Sequence, residues 1–186
     1  MRSERWQPST PATLPRIRPS MLIGRLRRST ACRSAFTPAV LRPGRRNTCC
    51  PEFRLRLGDP LLLEDTLVRY PALKVYVMHA GGFFPQNALM LMTMYPHVYV
   101  DISTLTWTPI AGDLLEPFLT EAKRRRLLDR VMFGSDQMRW PEAIALAIDR
   151  VNRLEFLTVE DKQDIFYDNA AKFLGLSAEE VARHHR

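Results

Sequence analysis

No lysine occurs before Lys74 and no histidine before His79 in this 186-residue chain. The missing histidines exclude any His-x-His metal pair upstream of that point. No apolar run approaches the ~20 residues that a membrane-spanning helix needs, so no membrane partner is expected. Cysteine is scarce: Cys32, Cys49 and Cys50 all fall near the N-terminus, and the adjacent pair lacks the spacing of a zinc knuckle. Free thiols are expected there, not a disulfide framework. Acids are nearly absent from residues 1–58, where Glu4 and Glu52 face 13 arginines, a net of +11. Residues 59–186 carry 14 basic and 18 acidic side chains, a net of −4. The basic character therefore belongs to the first third, and the remainder has no footprint for a nucleic-acid partner.

What is present divides at the same place. Residues 1–58 hold seven prolines among the arginines and sustain neither a helical nor a strand period. Three readings stand for this leader: an organelle transit peptide, an Arg-rich arm binding phosphates, or GC-rich DNA read out of frame, which fits the composition best. It is expected to be disordered and easily removed by proteolysis. The second region, residues 59–186, is long enough for one domain with a core. The whole chain falls short of the roughly 250 residues of a complete α/β barrel.

From Gly58 onward helices and short apolar strands alternate. Asp59-Pro60 opens a helix with an apolar face of Leu61, Leu62, Leu63, Leu67 and Val68, which stops at Tyr70-Pro71. A strand over 74–78 follows. Asn87 is expected to cap a helix through Leu89 to Met94, ended by Tyr95-Pro96, before a strand over 98–102. Tyr70-Pro71…Val75-Tyr76-Val77 and Tyr95-Pro96…Val98-Tyr99-Val100 are two copies of one helix–strand unit. Pro117 is expected to start a third helix, running to about Leu128, with a strand over 131–134 after it. A helix from Ala143 to Leu154 should bury Ile144, Ala147, Ile148 and Val151. Thr158 with Asp161, and Ser177 with Glu180, form capping boxes for two more helices, the first ending at Gly175. The alternation predicts an α/β fold: a parallel sheet of three strands with helices outside.

Chemistry in such a sheet gathers at the carboxyl ends of the strands. Val75-Tyr76-Val77-Met78 ends in His79, and Ala80-Gly81-Gly82 then allows a tight turn and close approach of a ligand to the backbone. Val131-Met132-Phe133-Gly134-Ser135 ends in Asp136. A histidine and a carboxylate on one rim are candidate catalytic groups and a partial hard-cation site. Each also has a plain reading, a rim histidine on a backbone carbonyl and a turn cap. Ser103 and Thr104 follow the second strand and are expected to be loop caps, since no His-plus-acid partner is spaced for them. Asp101 is expected either to face the site or to be buried and paired. Trp107 and Trp140 are candidate pocket walls. His97 sits at the amino end of its strand, away from chemistry. Lys123 to Arg126 read as a solvated helix end, Met90, Met92 and Met94 as packing, and His184-His185 as a frayed tail.

Four of these stretches, in order, carry a resemblance: His79-Ala80-Gly81; Tyr95-Pro96 leading to Val98-Tyr99-Val100-Asp101-Ile102-Ser103; Phe133-Gly134-Ser135-Asp136; and Asp168-Asn169-Ala170-Ala171-Lys172-Phe173-Leu174-Gly175-Leu176. Residues 59–186 resemble the C-terminal portion of the amidohydrolase 2 family, whose fold is a (β/α)8 barrel. The resemblance implies a metal-dependent hydrolase or a non-oxidative carboxy-lyase acting on a small molecule in the cytoplasm. It implies a divalent metal, zinc or manganese, with His79 and Asp136 as ligands or proton carriers, and Gly81, Ser103, Trp107 and Trp140 near the substrate. The family's first-strand His-x-His pair and its fifth-strand histidine have no counterpart here. About three βα units of an incomplete barrel are therefore expected, binding metal weakly and inactive alone. The open sheet edge would pair with another chain or a second copy. A non-catalytic interaction module is the remaining alternative.

Overall fold

The computed structural model describes residues 55–185 apart from Ile110, Met138 and Arg139. The described residues belong to one compact unit, Glu52–Arg186. The expectations for residues 1–54, disorder included, lie outside the described residues.

The unit is built from three parallel strands in the order β1 (Val75–Val77), β2 (Val98–Asp101) and β3 (Val131–Met132). Tyr76 pairs with Tyr99 and Val77 with Val100, so the internal repeat of the sequence is also the register of the sheet. Val100 pairs in turn with Val131. All four residues of β2 are buried, as befits a central parallel strand covered on both faces. On one face the rings of Tyr76 and Tyr99 meet the edge of Phe173, with centroids 5.7 and 5.1 Å away. The core combines Val98, Val100, Val131 and Ile102 with Leu89, Met92, Leu115, Phe118, Leu119 and Ile165 from the helices.

The helices follow the sequence signals with local corrections. Asp59 caps a 3-10 turn, Pro60–Leu63, by accepting from the Leu61 N–H at 3.0 Å, and α1 (Glu64–Arg69) continues it. Of its expected apolar face, Leu67 is buried, whereas Leu61, Leu62 and Val68 are exposed. The next helix, α2 (Pro85–Met94), is not capped by Asn87. Pro85 occupies its first turn, where the missing N–H costs nothing, and Asn87 donates to both Asp59 carboxylate oxygens at 2.9 Å. Within α2, Met92 is buried, but Met90 and Met94 are exposed.

The third helix, α3 (Leu115–Arg124), begins two residues before Pro117, which the first turn accommodates. It ends at Arg124 rather than near Leu128, and Arg126 takes a left-handed φ of 58°. In α4 (Glu142–Asn152) the buried stripe is Ala143, Ala147 and Val151, one residue round from the expected face, which leaves Ile144 and Ile148 exposed. Both capping boxes form as expected, at the starts of α5 (Val159–Gln163) and, further on, α7 (Ala178–His184). Between α5 and α6 (Asn169–Leu174) the helix widens into a π segment, Asp164–Asp168. Gly175 follows at φ 73°, the left-handed C′ position. The C-terminal histidines are not frayed: the Tyr167 hydroxyl bonds His184 Nδ1 at 2.7 Å, and both His rings lie edge-on to Tyr167.

The π segment has a structural consequence for the sheet. On the side of β3 away from β2, the Phe133 N–H donates to the Ile165 carbonyl at 2.6 Å. Asn169 Nδ2 donates to the Val131 and Leu128 carbonyls at 2.8 and 2.7 Å. The outer backbone groups of β3 are thereby bonded to the closing helix, which covers the kind of edge that invites strand pairing. The sequence reading expected the three-stranded sheet to have an open edge; at β3 the outer groups are bonded to the closing helix. The helix backbone covers it because widening by one residue per turn frees a carbonyl that an α-helix uses internally.

Candidate functional site

Three short loops leave the carboxyl ends of β1, β2 and β3, and each carries one of the polar residues singled out above. After β1 the backbone enters an unusual conformation. His79 (φ 57°, ψ 35°) and Ala80 (φ 50°, ψ 32°) are left-handed, and Gly81 and Gly82 keep positive φ. Left-handed geometry costs a non-glycine residue roughly 1–2 kcal/mol, so the fold must hold this turn in place. Two bonds do so: the His79 N–H donates to Asp101 Oδ1 at 2.9 Å, and the Gly82 N–H to the His79 carbonyl at 2.7 Å. Gly81 packs toward the domain interior. A Cβ added there would lie 2.9 Å from Pro60 Cγ and 3.0 Å from Ala88 Cβ, so the position admits no side chain.

Asp101, the last residue of β2, is 7% exposed, as is His79, and Ser103 is 3% exposed. Asp101 Oδ1 gathers the His79 N–H, the Ser103 N–H at 3.0 Å and the Ser103 hydroxyl at 2.5 Å. Ser103 Oγ in turn lies 2.6 Å from His79 Nδ1, and His79 Nδ1 is 3.9 Å from Asp101 Oδ1. Thr106 closes the loop by donating its hydroxyl to the Ser103 carbonyl. The carboxylate charge reaches further. Burial raises the Tyr76 hydroxyl pKa above its ordinary value, and Asp101 raises it more.

Here the structure corrects the reading of Ser103. The sequence shows no His-plus-acid partner spaced for it, yet both partners are in contact with it. His79 and Asp101 arrive through the sheet register, with Val77 opposite Val100, and not through linear spacing. Of the two readings for Asp101, the buried and paired one is observed. The signal that points to both residues was the repeat itself, because aligning Tyr76 with Tyr99 places Met78 beside Asp101.

The third loop approaches the same cluster. A Cβ on Gly134 would sit 3.1 Å from Ser103 Cβ and 3.7 Å from Asp101 Cβ, so glycine lets the end of β3 close against the pair. Asp136 follows at φ 50°, half-buried and left-handed like His79. Between them Ser135 offers its carbonyl to Trp107 Nε1 at 2.8 Å, which ties the β2 loop to the β3 loop. Trp140 stands edge-on to Trp107 with centroids 6.4 Å apart, and remains about half exposed. The two tryptophans therefore pack on each other, and Trp107 is tied to the β3 loop at Ser135. His97 lies at the other end of β2, where its carbonyl accepts from the Val75 N–H. Lys123, expected in a solvated helix end, instead donates to the Phe156 carbonyl and to Asp161, both at 2.7 Å.

A catalytic zinc site takes three protein ligands and an open position. Among the described residues no group of three or more His, Cys, Asp or Glu is placed to hold a metal ion. His79 and Asp136 do not by themselves fit a metal. No helix among the described residues is long and apolar enough to cross a membrane.

The parallel α/β sheet thus carries a His, a Ser and two carboxylates at its carboxyl rim, the end where sites gather in folds built on βα units. A family model described as amidohydrolase, of the amidohydrolase 2 family, matches residues 32–176, and the chain belongs to that family. The match begins upstream of the change in composition at Gly58. The crystal structure of an amidohydrolase II is similar at 22% identity and a TM-score of 0.46, covering 72% of this chain and 48% of that one. The chain thus spans about half the length of that relative. No curated protein matches it. Members of the family are generally metal-dependent, and the chain is a member of a hydrolase superfamily.

Proposed function

We propose that residues 59–186 form about three βα units of a (β/α)8 barrel. Their rim supplies part of the active site of a metal-dependent hydrolase acting on a small molecule. The observation that carries this is the buried His79–Ser103–Asp101 cluster at the carboxyl ends of two adjacent parallel strands. His79 is held at its backbone by Asp101 and at its ring by Ser103, so the imidazole is fixed before any substrate arrives. Asp136, half-buried at the tip of β3, is the carboxylate suited to accept a proton from water. Trp107 and Trp140 flank it as the wall against which an apolar part of the substrate rests. A bound zinc or manganese ion supplies Lewis-acid activation of water in enzymes of this kind. The remaining ligands are supplied from elsewhere, a reading supported by the lack of histidine in residues 1–78 and of any group of three or more ligating side chains among the described residues.

The test is metal content and turnover of the full chain, alone and mixed with a barrel segment that carries a His-x-His pair. The substrates are a panel of lactones, amides and aromatic acids. Alone, the chain should hold well under one metal ion and show no turnover. The mixture should bind metal and hydrolyse, and Asp136→Asn should then lower the rate by about 10²-fold or more. Release of carbon dioxide without hydrolysis would make the enzyme a carboxy-lyase. One tightly held ion per isolated chain would overturn the shared site, and a full-rate Asp136→Asn would remove Asp136 from it.

A further inference from the structure

The hydrogen bonds around Ser103 admit one consistent arrangement of protons. Asp101 Oδ1 already accepts from two backbone N–H groups, those of His79 and Ser103, so it acts as an acceptor toward Ser103 Oγ as well. A serine hydroxyl has a single proton. With that proton directed to Asp101, the 2.6 Å contact between Ser103 Oγ and His79 Nδ1 requires the ring nitrogen to be the donor. The opposite assignment would bring two lone pairs together at 2.5 Å between Ser103 and the carboxylate.

We propose that Ser103 is a positioning residue which, backed by Asp101, holds the His79 ring in its Nδ1–H tautomer and makes Nε2 the basic nitrogen of the site. The second nitrogen of an imidazole takes its role from whatever the first one bonds, and a carboxylate is the usual partner. Here a hydroxyl is interposed. That places the carboxylate 3.9 Å from the ring nitrogen, while the same oxygen also holds the backbone turn of His79. Burial makes the relay selective. With His79, Ser103 and Asp101 each under a tenth exposed, water competes poorly for Oγ, and the bonds strengthen one another. A glycine at 134 leaves this packing undisturbed, since a Cβ there would come within 3.1 Å of Ser103 Cβ.

This inference rests on the reading of His79 as the working group of the rim, but its test reads the ring and not turnover. The full chain is prepared with 15N-labelled histidine, and the imidazole nitrogens are recorded at about pH 8.5, where histidine is ordinarily neutral. The His79 signals are assigned by their loss in His79→Gln. The expected spectrum has a protonated Nδ1 and an unprotonated Nε2. Ser103→Ala should shift the tautomer ratio toward Nε2–H by about fivefold or more, the worth of one ordinary hydrogen bond. Asp101→Asn should keep the wild-type tautomer, because the two backbone N–H donors still hold an oxygen facing Ser103. An unprotonated Nδ1 or a doubly protonated ring in the wild type overturns the proposal, and so does an unchanged ratio in Ser103→Ala. If Ser103→Ala fails to fold, the wild-type spectrum still decides. Failure of the shared-site function would appear in metal content and turnover and leave this spectrum untouched.

Discussion

The two ends of the three-stranded sheet are both rich in polar side chains, but they use them differently. At the amino end, single long side chains bond backbone carbonyls. Arg130 donates to the carbonyls of Met92, Tyr95 and Val98, Lys74 to those of Lys172 and Phe173, and Asn169 to those of Leu128 and Val131. These bonds give carbonyls at helix ends and strand starts a side-chain donor, in several cases beside a backbone one. At the carboxyl end, the side chains bond one another and hold a strained backbone, with His79, Ala80 and Asp136 all left-handed. A fold does not need that arrangement for closure. Of the four left-handed non-glycine residues among the described residues, three lie at this end, and the fourth, Arg126, follows α3. The amino end stabilises the fold; in the function proposed above, the carboxyl end uses part of that stability to hold its polar groups in place.

The largest effect should come from Asp101→Ala. It strips the acceptor from three buried donors at once, two backbone N–H groups and a hydroxyl. Urea unfolding should show a loss of about 4 kcal/mol. The variant should also lose the fixed His79 ring. A stable Asp101→Ala with an unaltered His79 would erase the distinction between the two ends.

Next is Asn169→Leu, which takes the side-chain donor from the Val131 carbonyl and one of two donors from the Leu128 carbonyl, where the Val131 N–H remains. It should cost about 2 kcal/mol by the same measurement. Its effect on the His79 imidazole spectrum should be nil, since Asn169 acts only at the other end. A change in that spectrum would show that the two ends are coupled.

Gly134→Ala should cost about 1 kcal/mol, because the new methyl meets Ser103 Cβ at 3.1 Å. Thermal unfolding measures the loss. The same variant should disturb the His79 ring signals, which separates it from glycine substitutions elsewhere.

The smallest effect lies on the surface of α3 and belongs to neither end. Glu121 is paired with Arg124 and Arg125, both at 2.6 Å, and the bond to Arg124, then that to Arg125, lowers its pKa from 4.5 to about 2. A carboxylate with a lowered folded pKa adds stability that is complete above its unfolded pKa. That contribution fades as the pH falls from about 4.5 toward 2. Glu121→Gln should flatten that part of the stability–pH curve slightly, and added salt should shrink the difference.

The sequence by itself determined the order of elements, the parallel sheet and both capping boxes, because each is written in local chemistry. Prolines stop helices, and Thr158 and Ser177 cap them. It also placed His79 and Asp136 at strand ends. What only the tertiary structure decided was which groups meet. Ser103 gained its histidine and its carboxylate through pairing of β1 with β2, a contact that no spacing along the chain encodes. The stripe buried by α4 depended on which neighbour it packed against, so it turned by one residue from the periodic expectation. The β3 edge was covered by a π-widened helix whose freed carbonyl no local pattern announces. Local signals act through neighbours in the chain, whereas these contacts depend on where distant backbone segments come to rest.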